Sequence, residues 1–157
     1  MSPKEIEHRV KILLIEDDFA DARLTVFAFQ QCGNPPQVTI VPDGAEGLAM
    51  LRREGKYAKA IVPDLLLVDL NMPKVDGREV LSIIKGDEAL KHLPVVILTT
   101  SDDEQDVRYA YEQQANAYVT KPADIDEFLS AVHCIERFWC ATVRMPSKTN
   151  EVPANGV

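Results

Sequence analysis

Three stretches of the chain are apolar with almost no alternation. One covers residues 10–15 and is stopped by Glu16-Asp17-Asp18, a second covers 65–68 and ends at Asp69, and a third covers 95–98 and ends at Thr99. A run without period-two alternation suits a strand covered on both faces, so these are predicted to be central parallel strands. Two further strands are predicted over 37–41 and 117–119. Between them the apolar positions recur at helical spacing. Leu24, Phe27 and Ala28 mark a helix over 19–31, closed by Gly33 and Pro35-Pro36, and Leu48 and Leu51 mark one over 45–53 after the Pro42-Asp43-Gly44 turn. Helices over 78–85, 104–114 and 124–144 complete five strand–helix pairs, with a connecting loop over 54–63.

Alternation of this kind requires right-handed crossovers and a parallel sheet with helices on both faces. The expected fold class is α/β, a (βα)5 doubly wound five-stranded parallel sheet of flavodoxin-like topology. The expected organisation is a polar segment over 1–9, one domain over 10–144 and a mobile tail over 145–157, where Pro146, Pro153 and Gly156 stand among polar residues.

The chemistry sits where the strands end. Glu16-Asp17, Asp69, Thr99 and Lys121 each follow the C-terminal end of a predicted strand, and in open α/β sheets ligands bind in the crevice at those ends. Three carboxylates brought together repel, and a proton or a hard divalent cation must balance them. Oxygen ligands with open positions favour Mg2+. Lys121 adds a compact positive charge and Thr99 a hydroxyl donor, both suited to the oxygens of a phosphoryl group. A lone acidic run is usually a solvated helix start, and Asp18 is read that way, as an N-cap.

Four segments, Ile15-Glu16-Asp17-Asp18, Val68-Asp69-Leu70-Asn71-Met72-Pro73-Lys74-Val75-Asp76-Gly77, Leu98-Thr99-Thr100-Ser101 and Tyr118-Val119-Thr120-Lys121-Pro122, resemble the receiver domains of two-component response regulators. The resemblance covers Val10 to about Glu136. It implies a phosphoacceptor signalling protein rather than a dedicated enzyme, one that assists its own Mg2+-dependent phosphotransfer and dephosphorylation. Asp69 is then the phosphoacceptor. Asp17, Asp69 and the main-chain carbonyl of Asn71 are metal ligands, with Glu16 acting chiefly through metal-bound water and Mn2+ able to substitute for Mg2+. Asn71 and Ser101, two positions after the acceptor and after the switch hydroxyl Thr99, would tune loss of the phosphoryl group. The resemblance also implies a cis Lys121-Pro122 peptide. Tyr118 stays open between an ordinary strand aromatic and a switch that moves with Thr99 to reshape the face of the fourth helix, fifth strand and fifth helix.

Beyond Glu136 the apolar stripe of the last helix continues through Phe138, Trp139 and Val143, so this extension must cap its own core, form a homodimer arm or meet another partner. The homodimer arm is preferred. The segment also resembles the C-terminal extension of small stand-alone response regulators associated with phytochrome photoreceptor histidine kinases, which implies such a kinase upstream and an unidentified protein downstream.

Composition narrows the alternatives. A formal charge of −8 disfavours nucleic acid and anionic lipid, and no run approaches a membrane span, so a cytoplasmic protein is expected. Cys32, Cys134 and Cys140 lack CxxC spacing and read as reduced thiols, and His8, His92 and His133 lack the partners of a triad or metal set. A flavin or nucleotide binder lacks its Gly-rich loop after the first strand, and a phosphatase lacks a second carboxylate at Asn71. A phosphorylation-independent interaction scaffold remains the competing reading.

Overall fold

A computed structural model describes residues 9–146. The expected polar segment over 1–9 and the tail over 145–157 therefore lie almost wholly outside the described residues. Five strands, β1 (Lys11–Ile15), β2 (Gln37–Val41), β3 (Leu65–Val68), β4 (Val95–Thr99) and β5 (Ala117–Thr120), form one parallel sheet in the order β2-β1-β3-β4-β5. They alternate with α1 (Phe19–Gln30), α2 (Gly44–Leu51), α3 (Gly77–Gly86), α4 (Glu104–Glu112) and α5 (Ile125–Glu136), with a short 3-10 turn at Gly55–Tyr57. The doubly wound parallel architecture is as expected.

Each helix opens on an aspartate. Asp18, Asp43, Asp76, Asp103 and Asp124 adopt extended backbone and accept a hydrogen bond from an N–H in the first turn, satisfying a donor that has no partner within the helix. The N-cap reading of Asp18 is thus borne out. The caps fix where each helix leaves the sheet, and hence the length of every loop over the strand ends.

The central strands divide their side chains between two cores. Leu13, Ile15, Leu66, Val68, Val95 and Ile97 face α2 and α3, whereas Ile12, Leu14, Leu65, Leu67 and Val96 face α1 and α5. Both alternating sets are apolar, which is why these strands read as unbroken hydrophobic runs. In α1 the buried stripe is Ala22, Thr25, Ala28 and Phe29, while Phe27 is half exposed. The spacing that marked Phe27 was shared by two adjacent faces, and packing against α5 selects the one bearing Phe29.

The last helix differs from the single helix expected over 124–144. Regular winding ends at Glu136, a π-helical segment runs over Arg137–Thr142, and Val143 is extended. The Thr142 hydroxyl donates to the Arg137 carbonyl at 2.7 Å and the Val143 N–H to the Phe138 carbonyl at 3.0 Å, closing the wider turn from within. Among the described residues no helix is long and apolar enough to cross a membrane.

Candidate functional site

Polar side chains interrupt the two cores where β1, β3, β4 and β5 end. Glu16, Asp69, Thr99 and Lys121 are all buried, and Asp17 stands exposed at the rim. The β1–β3 register continues past the strands, with the Asp69 N–H donating to the Ile15 carbonyl at 3.1 Å, so the first acidic pair and Asp69 emerge side by side. One carboxylate oxygen each from Glu16, Asp17 and Asp69 lie within 4.8 Å of one another. That spacing and the hard oxygen donors fit a divalent cation such as Mg2+ or Mn2+.

Lys121 is brought in from the opposite side. Its N–H donates to the Thr99 carbonyl at 2.6 Å, and its ammonium contacts the carboxylates of Glu16, Asp21 and Asp69, the last two at 2.9 and 3.2 Å. The expected cis Lys121-Pro122 peptide is absent, since every peptide bond among the described residues is trans. The backbone tie to Thr99 aims the side chain into the pocket without it. Asn71 lies exposed on the following loop, its N–H donating to Asp69 Oδ1 at 3.2 Å.

The electrostatics follow from this packing. Burial pushes the Glu16 carboxyl up to about 8, the neighbouring Asp69 charge adding to the shift and Lys121 opposing it. Burial acts on Asp69 in the same sense but is outweighed by hydrogen bonds from Glu16 and Thr99 and by the Lys121 charge, so Asp69 stays below its usual range. Lys121 loses solvation too, yet the carboxylates around it hold it firmly charged. The pocket therefore pairs an ionised Asp69 with a fixed cation, the arrangement needed of a carboxylate nucleophile facing an anionic group.

Ser101 and Tyr118 belong to a second network beside the pocket. The Ser101 hydroxyl donates to Asp106 at 2.6 Å, Arg78 donates two hydrogen bonds to the same carboxylate at 2.7 and 3.0 Å, and the Tyr118 hydroxyl donates to the Ser101 carbonyl at 2.8 Å. Tyr118 is thus held in one position, tied to the loop after Thr99. Asp21, Arg78 and Asp106 were not singled out in the sequence. Asp21 had a signal, since it follows the Asp18 cap by three residues and one helical turn returns it to the same side. Arg78 and Asp106, 28 residues apart, had none.

In the C-terminal extension Trp139, Cys140 and Met145 pack on the core shared by α1 and α5. Phe138 meets Trp139 edge to face, ring centroids 5.2 Å apart, and is itself 51% exposed. Val143 is half-buried. His133 Nε2 lies 3.1 Å from the Ala28 carbonyl and 3.0 Å from the Gln31 side chain, bridging two helices as a structural residue.

Comparison with known proteins places the chain in a family. The family model of the response regulator receiver domain matches residues 12–133. The response regulator Rcp1 of Synechocystis is 43% identical over 136 residues, covering 87% of this chain and 92% of its own length. The crystal structure of the phosphorylated cyanobacterial phytochrome response regulator RcpA superposes with a TM-score of 0.86 at 47% identity, covering 88% of this chain and 99% of that one. The Mn2+-bound form of Rcp1 gives 0.85 at 42% identity, with the same coverage. With its acidic trio, Thr99 and Lys121 at the four strand ends, this chain belongs to the response regulator receiver family.

Proposed function

We propose that this receiver accepts a phosphoryl group on Asp69 from a histidine kinase of the phytochrome photoreceptor class and passes the signal to another protein. The observation that carries the reading is the ionised, buried Asp69 carboxylate facing the Lys121 ammonium at 3.2 Å beside Glu16 and Asp17. An Asp69 oxygen attacks the phosphorus of a phosphohistidine whose other ring nitrogen carries a proton; the P–O bond forms, the P–N bond breaks, and the P–N electron pair leaves on a neutral imidazole. Lys121 donates to a phosphoryl oxygen as charge gathers there. Asp17, Asp69 and the Asn71 carbonyl would hold Mg2+ or Mn2+, with Glu16 acting through its bound water, and the cation supplies neutralisation of the incoming phosphoryl charge. The Mn2+-bound Rcp1 and phosphorylated RcpA structures support this, as relatives of similar length that carry the metal and the modification.

The new oxygens on Asp69 attract the Thr99 hydroxyl, whose oxygen accepts from the Ser101 N–H at 3.5 Å beforehand. Moving Thr99 inward vacates space for Tyr118, which must release the Ser101 carbonyl and so reshapes the face of α4, β5 and α5. Asn71 and Ser101, two positions after Asp69 and Thr99, tune the loss of the phosphoryl group to water in this reading. Phe138, packed edge to face on Trp139, and the nearby Val143 supply an apolar surface suited to a homodimer.

The test is intact mass after incubation with Mg2+ and a small acyl phosphate. One phosphoryl group on the parent and none on Asp69→Asn is expected. An unmodified parent, with this donor and with a phosphorylated histidine kinase, refutes the reading and leaves the phosphorylation-independent scaffold.

A further inference from the structure

Three carboxylates share the Lys121 ammonium, and they are not equivalent. Glu16 and Asp69 belong to the trio spaced to hold a divalent cation; Asp21 does not. Asp21 comes from the first turn of α1, with a side chain 32% exposed against 3% for Lys121, so it reaches the ammonium from the solvent side of the pocket. A cation held beside Glu16 by Asp17 and Asp69 competes with Lys121 for the negative charge of Glu16 and Asp69. Mg2+ entry therefore requires the ammonium to give up contacts, and a buried ammonium without a counter-charge is strongly disfavoured.

Resting on the receiver reading above, we infer that Asp21 is a positioning residue that holds the Lys121 ammonium when Glu16 and Asp69 turn to the divalent cation, so that metal and lysine occupy the pocket together. Asp21 touches neither the cation nor the phosphoryl group. It acts through Lys121, keeping Nζ charged and beside Asp69, where the phosphoryl oxygens arrive. Removing it leaves Lys121 on Glu16 and Asp69 as an internal competitor of the metal.

The experiment is Mg2+ titration calorimetry on the parent, Asp21→Asn, Lys121→Met and the double variant, with phosphorylation from a small acyl phosphate followed across Mg2+ concentration. Asp21→Asn should raise the Mg2+ dissociation constant roughly tenfold, a typical size for coupling between two sites. Its phosphorylation should reach half-maximal rate at a correspondingly higher Mg2+ concentration than that of the parent. In the Lys121→Met background the same substitution should leave Mg2+ affinity unchanged, because the lysine through which it acts is gone. Asp21→Ser serves the same cycle should the Asn variant not fold. Unaltered Mg2+ affinity in the single variant overturns the inference, as does an effect that persists without Lys121, which would be a bulk charge effect. A parent chain that binds no Mg2+ and takes no phosphoryl group removes the receiver reading itself, an outcome distinct from both.

Discussion

Gly77 opens α3 where the backbone passes over Asp69, and Gly77→Ala tests how tightly the strand end bearing Asp69 is held. A Cβ at this position would sit 2.0 Å from the Asp69 carbonyl oxygen, 2.7 Å from Leu70 Cα and 2.8 Å from the Asp69 carbonyl carbon. All three are backbone atoms, so no flexible side chain can swing away, and the two segments must part by about 1 Å to reach the shortest tolerable contact. The Gly77 N–H donates to the Leu70 carbonyl at 2.9 Å, and that bond would be stretched by the same movement. Overpacking of this kind costs about 1–3 kcal/mol, with rigid backbone on both sides placing it near 3. For a chain of this size each kcal/mol lowers Tm by roughly 2–4 °C, so a fall of about 6–12 °C is expected by calorimetry. A shift of about 1 Å at the acceptor should also slow phosphorylation by up to ~100-fold. A Tm within about 2 °C of the parent and an unchanged phosphorylation rate would show that the α3 entry yields freely, and would refute the claim that glycine is required by close approach.

Other substitutions probe the remaining contacts. Burial, with Glu136 nearby, pushes the Cys140 thiol up to about 12 and the Cys32 thiol up to about 11, while Cys134 is exposed. Iodoacetamide at pH 8 should therefore label Cys134 first in the native protein and all three in denaturant, and rapid labelling of Cys140 would show that the extension is not seated on the core. Hydrogen bonds from Ser101 and then Arg78 hold Asp106 below its usual 3.8, so its stabilising effect is present above that value and is lost as pH falls through its lowered native value. Asp106→Asn should accordingly lower Tm at pH 7 by more than at pH 3, and an equal loss at both would contradict the ion-pair role. Lys121→Ala leaves buried carboxylates uncompensated and should cost about 3–5 kcal/mol in EDTA, with much of the loss in Tm recovered on adding Mg2+.

The fold was legible because buried parallel strands leave a distinctive trace. Both faces of β1, β3 and β4 are covered, so the runs at 12–15, 65–68 and 95–98 carry no polar position to confuse the assignment. The site was legible for a related reason, since Glu16, Asp69 and Thr99 each break off an apolar stretch where a buried polar group needs a cause, and Lys121 directly follows the last strand. Less local features were hidden. The change to π-helical winding at Arg137 leaves no mark on the apolar spacing, because Phe138 and Trp139 satisfy either geometry. The Arg78–Asp106–Ser101 network depends on two helix N-termini meeting over the sheet, a contact fixed by the crossovers rather than by any motif.

The same pocket explains why its charges are a cost to the fold. Glu16, Asp69 and Lys121 sit 4%, 8% and 7% exposed, so three charged or titratable groups have been taken from water for contacts with one another, with Asp21 and with a few neighbouring donors such as the Asn71 N–H. Buried ion pairs of this kind are commonly no more stabilising than apolar residues of similar volume, and burial, with the neighbouring Asp69 adding to it, pushes the Glu16 carboxyl up to about 8. Folding alone would be served as well by continuing the hydrophobic runs one residue further. The excess negative charge is instead matched to what has to enter: a divalent cation that relieves the carboxylates, and a phosphoryl group that takes over Lys121. An assembly that is under-neutralised at rest and balanced only when loaded transfers the relief of its own repulsion to binding.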